Sequence, residues 1–138
     1  MEYKFSYNDE EYVLESDKCG DFLNDEEKEV KGFSVEEAIR LVSEAEDVKF
    51  EKEYYQEACP NCLAGVKEKQ KFFEFFEYHF YIFTKNCEYI ISDIDRKYKG
   101  NSFNKLNRAK KVDDSYIVSI IVCAECGDYI VQIENCEV

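Results

Sequence analysis

The chain has 138 residues, 31 acidic against 18 basic side chains and a net charge of −13, so the molecule as a whole repels nucleic acid and anionic membrane. Twenty-two Tyr and Phe residues, with a single Pro at Pro60, give enough apolar material for one packed domain spanning 1–138 and exclude extended disorder. No apolar run approaches the roughly 18 residues of a membrane span, and the start Met1-Glu2-Tyr3-Lys4 has no signal-peptide character, so the sequence predicts a cytoplasmic protein.

Tyr3–Tyr7 and Tyr12–Glu15 flank the polar Asn8-Asp9-Glu10-Glu11 and read as an opening hairpin. Residues 16–32 are polar and acidic, suited to a loop or a short helix. Ser34-Val35-Glu36-Glu37 is a capping box, with Phe33 and Ala38 at the staple positions. Val35, Ala38, Ile39, Leu41, Val42 and Ala45 recur at helical spacing, which predicts an amphipathic helix over 35–46. Val48–Tyr55 alternates as a strand. Lys71–Phe83 is almost wholly aromatic and fits helix or strand. Its second half, Tyr78–Thr84, followed by Lys85-Asn86 and Tyr89–Ile94, reads as a hairpin. Residues 96–111 form a basic loop with a helical turn near 103–110. Tyr116–Val122 and Tyr129–Ile133 are β-rich. The predicted class is α+β: an antiparallel sheet, one clear helix and a cysteine-knuckle end.

Seven cysteines, an odd number in a reducing compartment, argue for metal or free thiols over a disulfide framework. Cys59 and Cys62, and Cys123 and Cys126, form two C-x-x-C pairs. Two intervening residues let one tight turn present both sulfurs to the same ion, and four thiolates satisfy tetrahedral zinc. Pro60 presets φ inside the first turn, and Gly127 permits positive φ as the chain leaves the second. The second pair also lies between two predicted strands.

This constellation resembles a zinc ribbon over Cys59–Leu63 and Ile117–Ile133, which implies one structural zinc on Cys59, Cys62, Cys123 and Cys126. Two features depart from that pattern. Leu63 stands where Gly is usual, and 60 residues separate Cys62 from Cys123, so the knuckles must cap a larger domain. The whole chain is similar to an uncharacterised family of small acidic bacterial proteins with two such pairs, a resemblance that implies no mechanism. Iron in the same thiolates, as in rubredoxin-like sites, is an alternative. So is thiol redox chemistry, although neither pair has the βαβ setting and helix N-terminus which that role wants. Coincidental free thiols are the remaining reading.

Cys19, Cys87 and Cys136 read as buried small hydrophobes, with Cys136 a possible substitute ligand. His79, the only histidine, reads as a buried, hydrogen-bonded ring; a Cys–His nucleophile would require it to meet a thiol such as Cys87. No carboxylate pair stands out, and no glycine pattern marks a phosphate loop. The aromatic block 72–83 fits core packing better than base stacking. Residues 96–111 carry seven basic and no acidic side chains, while residues 1–95 sum to −14 and 112–138 to −6. That segment is either a solvated loop docked on the acidic body of its own molecule or of a neighbour, or it neutralises phosphates, with Tyr98 and Phe103 available to stack. The sequence therefore predicts a zinc-stabilised, non-enzymatic protein-interaction module. Nucleic-acid binding through 96–111 and a thiol redox or iron-binding role are its alternatives.

Overall fold

A computed structural model describes residues 1–136. The hairpin forms as strands β1 (Glu2–Tyr7) and β2 (Glu10–Glu15), which pair antiparallel around Asn8-Asp9. Both turn residues have positive φ, +50° and +67°, as a two-residue type I′ turn demands. Glu10 and Glu11, read from sequence as turn, belong to β2.

Residues 16–32 hold more order than expected. A short 3₁₀ turn covers Ser16–Lys18, and a three-residue strand, β3 (Asp21–Leu23), follows. The helix α1 spans Val35–Glu44, two residues shorter than predicted. Ser34 Oγ accepts the Glu37 N–H at 3.2 Å. The reciprocal half of the box does not form, because the Glu37 carboxylate turns to Arg40 (2.6 Å) and the Tyr89 hydroxyl (2.8 Å). α1 stops where Ala45 becomes extended and Asp47 turns left-handed at φ +58°.

Strand β4 covers Glu51–Tyr55, the second half of the predicted run. β5 (Phe73–Lys85) is one strand of 13 residues, which resolves the aromatic run compatible with helix or strand in favour of strand. It turns through Asn86-Cys87, again with positive φ at both residues, into β6 (Glu88–Ser92). A 3₁₀ turn at Arg96–Tyr98 and a helix α2 (Phe103–Arg108) precede β7 (Asp114–Cys123) and β8 (Tyr129–Cys136).

The main sheet runs β3-β8-β7-β5-β4, with β6 on the other half of the β5 edge that β4 occupies. Every pair is antiparallel except β3 with β8. The side-chain period of two divides this sheet into an inner and an outer face. The inner residues Phe76, Phe80, Ile82, Tyr116, Val118, Ile120, Val122, Val131 and Ile133 bury against Ala38, Ile39, Leu41 and Val42 of α1 and against the β1–β2 hairpin. Complete burial of an Ile or Leu side chain contributes about 1.5–3 kcal/mol, so this layer carries most of the stability. Phe50, just before β4, stacks on Phe5 at 4.3 Å and ties the hairpin down.

The outer face is covered only at its ends. At one end Phe83 meets Leu106 and Val112, with Tyr98 and Phe103 against it. At the other, Phe75 packs with Cys59 and Cys123. Among the described residues, no helix is long and apolar enough to cross a membrane.

Candidate metal centre

The second knuckle grows from the β7–β8 hairpin. Cys123 ends β7, its N–H donates to the Asp128 carbonyl at 2.8 Å, and the Gly127 N–H returns to the Cys123 carbonyl at 3.0 Å. Gly127 has φ +77°, the conformation expected from its place after Cys126. The first knuckle repeats this geometry without a hairpin. The Leu63 N–H donates to the Cys59 carbonyl at 2.9 Å, and Leu63 adopts φ +53°. Leu63 thus stands in the glycine slot and keeps the glycine conformation, against the steric cost of its own Cβ.

The turns face each other. Cys59 Sγ lies 3.7 Å from Cys126 Sγ, and Cys62 Sγ lies 3.8 Å from Cys123 Sγ. All four sulfurs lie within 4.8 Å of one another. Four thiolates about 2.3 Å from a central ion, at tetrahedral corners, stand about 3.8 Å apart. The spacing therefore matches a four-thiolate site. It lies well beyond a disulfide bond of about 2.05 Å, and all four cysteines are free thiols. The group could hold a metal ion.

Each pair places its first cysteine inside and its second outside. Cys59 and Cys123 are 5% and 3% exposed, whereas Cys62 and Cys126 face solvent. Burial pushes both inner thiols up, Cys123 to about 12, against the opposing pull of the backbone N–H groups of Asn61 and Cys62 on Cys59 and of Glu125 and Cys126 on Cys123. Burial also acts on Cys126. There it is outweighed by the Asp128 N–H (3.4 Å), the Asn61 side-chain amide (3.6 Å) and the neighbouring thiols, so the Cys126 thiol is pulled down. A divalent cation is the chemistry that lets all four lose their protons together.

No local sequence pattern marks the groups that support the knuckles. Asn61 bridges from the first knuckle to Cys126. Tyr12, on β2, donates its hydroxyl to the Ala124 carbonyl at 2.9 Å and fixes the second turn to the hairpin. Segment 56–72 has its backbone hydrogen bonds chiefly within its own turns, Val66 to Leu63, Lys69 to Val66 and Gln70 to Gly65. It lines two hollows of about 910 and 1020 Å³ that share Tyr54, Cys59 and Phe75; the larger also has Ile121 and Ile130 in its lining.

The remaining candidates stand apart from this site. Cys136 closes β8, seven residues from Tyr129, and at about 3.3 Å per residue that is more than 20 Å from the knuckle, so it cannot substitute as a ligand. Cys19 donates to the Asp21 carbonyl at 2.9 Å, and Cys87 sits in the β5–β6 turn; each is half-buried, not buried. His79 is on the outer face, 44% exposed, correcting the expectation of a buried ring. Its Nδ1 lies 2.7 Å from Ser119 Oγ and its Nε2 3.3 Å from Glu77, which the Tyr55 hydroxyl also contacts. This row is hydrogen-bonded like a hydrolytic set. The backbone around it is engaged in the β5–β7 and β7–β8 ladders, so an oxyanion would find no free N–H pair there. Tyr98 and Phe103 are also not free to stack on bases, as they pack on Phe83 at 5.4 and 5.3 Å.

A family profile described as protein of unknown function (DUF3785) matches residues 3–138. The chain belongs to this family. The match includes both knuckles, so the cysteine cluster lies inside the region that the family shares. No curated protein and no solved structure matches the chain.

Proposed function

We propose that Cys59, Cys62, Cys123 and Cys126 bind one structural zinc ion, and that this family member is a zinc-stabilised, non-enzymatic module that recognises another protein. The observation that carries this reading is the sulfur cluster: all four sulfurs lie within 4.8 Å of one another, and two of the six edges, 3.7 and 3.8 Å, match a four-thiolate tetrahedron. Four protein ligands leave zinc no open position for substrate or activated water, the arrangement of structural sites. Iron fits the same sulfurs. Zinc is favoured because it needs no redox partner and tolerates the exposure of Cys62 and Cys126 to solvent.

The protein-recognition part rests on the knuckle's surroundings. Tyr54, Leu63, Val66 and Phe72 stand exposed around the first knuckle, Leu63 at 57%. Large apolar side chains crowded near a rigid site are characteristic of an interaction surface. The metal would hold segment 56–72, and these side chains with it, against the sheet.

The test is metal content followed by chelation. Purified protein should carry one zinc per chain, and removing it should lower the melting temperature and open 56–72 to protease. Protein without stoichiometric metal, or an unchanged melting temperature and cleavage pattern after chelation, would overturn the reading.

A further inference from the structure

The outer face ends, opposite the knuckles, in a lobe made by residues 96–111. The lobe is ordered by packing and not by charge: Leu106 and Val112 bury against Phe83, with Tyr98 stacked on that ring and Phe103 tilted against it. All seven of its cations, Arg96, Lys97, Lys99, Lys105, Arg108, Lys110 and Lys111, are exposed. Among the described residues, ion pairs form at Lys4, Lys18, Lys28, Arg40, Lys52 and His79, and at none of these seven. Two of the seven reach their own backbone, Arg96 to the Glu44 carbonyl at 3.3 Å and Lys105 to that of Gly100 at 3.4 Å. Among the described residues, the densest run of cations thus forms no ion pair, in a chain where carboxylates outnumber cations 31 to 18.

The helix dipole accounts for only part of this. Cations near a helix C-terminus are favourable, which covers Arg108, Lys110 and Lys111, but Arg96, Lys97 and Lys99 precede α2. Lys110 is moreover the wrong residue for its conformation. The Lys110 N–H donates to the Asn107 carbonyl (2.9 Å) and the Lys111 N–H to that of Leu106 (2.9 Å), a Schellman ending with Lys110 left-handed at φ +58°. Glycine is the comfortable residue there, and a lysine keeps a charge at the expense of backbone strain.

We propose that this lobe is a docking surface for an acidic segment of a partner protein. The proposal rests on the reading of the protein as an interaction module and gives it a second surface, at the end of the sheet opposite the knuckles. Two observations favour a compact acidic segment over a nucleic acid. The aromatic rings that would stack on bases are spent on Phe83. The lobe's helix is also only about 9 Å long and is surrounded by a body of charge −20, which repels any polyanion extending past the lobe.

The test uses metal-loaded full-length protein and two fluorescein-labelled probes of comparable charge, hexaglutamate and hexathymidylate. Hexaglutamate should bind, and binding should weaken as salt shortens the Debye length to about 8 Å. Lys110→Gly should weaken it about two- to five-fold while raising the melting temperature, which separates lost charge from lost fold. Arg108→Glu with Lys99→Glu should weaken it more than about tenfold, and Lys67→Glu in the knuckle segment should leave it unchanged. The proposal is overturned by no hexaglutamate binding at low salt, by tighter binding of hexathymidylate, or by binding indifferent to the lobe variants. Concentration-dependent self-association that Lys110→Gly abolishes, without peptide binding, would assign the lobe to a second copy and also overturn it. None of these outcomes touches the zinc reading, which metal stoichiometry decides separately.

Discussion

Leu63 and Gly127 hold equivalent places in the two knuckles, each donating its N–H to the carbonyl of the first cysteine and each left-handed. The conformation costs a non-glycine residue about 1 kcal/mol or more. Leu63→Gly should therefore stabilise the protein by about 1 kcal/mol in urea titrations, and Gly127→Ala should destabilise it by a similar amount. The space at Gly127 is open, since a Cβ added there would lie 4.0 Å from the Tyr12 ring, so the cost is conformational and not steric contact. The thiols make a second prediction at this scale. In metal-free protein, exposed Cys126, with its thiol pulled down, should alkylate before buried Cys59 and Cys123, whose thiols are pushed up. Metal should protect all of them. Mass-spectrometric mapping of alkylated peptides reads both results, and equal labelling of Cys123 and Cys126 would contradict the geometry.

At the scale of elements, legibility followed locality. The α1 N-terminus was readable because the Ser34 cap is satisfied within one turn; Ser34→Ala should cost about 1 kcal/mol by thermal or chemical denaturation. Both knuckles were readable for the same reason, since each cysteine pair is set by a four-residue turn. β5 was not. Its outer face is covered at both ends, so aromatic residues fill both faces near Phe75-Phe76 and Phe80–Phe83, and only Glu77 and His79 mark the uncovered middle. The alternation that identifies a strand is thereby lost. β3 is three residues long and held by a parallel partner more than 100 residues away, a pairing that leaves no local pattern. The adjacency of His79 and Ser119 depends on the β5–β7 register, which sequence spacing does not encode.

Across the whole molecule, the inner layer of α1 and hairpin on sheet contains none of the four knuckle cysteines, whereas the cluster at the knuckle end is built on Cys59 and Cys123. The pH dependence should divide in the same way. Metal binding requires deprotonated thiols, so the loaded protein loses stability as acid returns protons to the sulfurs. Arg40 beside Glu37 holds that carboxyl below the usual range, outweighing its burial. A carboxyl lowered on folding stabilises above its unfolded pKa, about 4.3, and that stability is lost as pH falls through the lower folded value. Both forms share this lower limb, and only the loaded form should begin to lose stability above it. Acid unfolding followed by circular dichroism should accordingly give the loaded protein the higher onset pH, and coincident profiles would argue against metal in the fold.

The most direct measurement of the central claim is X-ray absorption at the zinc edge of protein purified without added metal. Four sulfur scatterers at about 2.3 Å, lost when Cys123 is changed to Ser, are what two facing knuckles around one ion produce. A shell of oxygen or nitrogen, fewer than four sulfurs, or no zinc signal in folded protein would contradict the account.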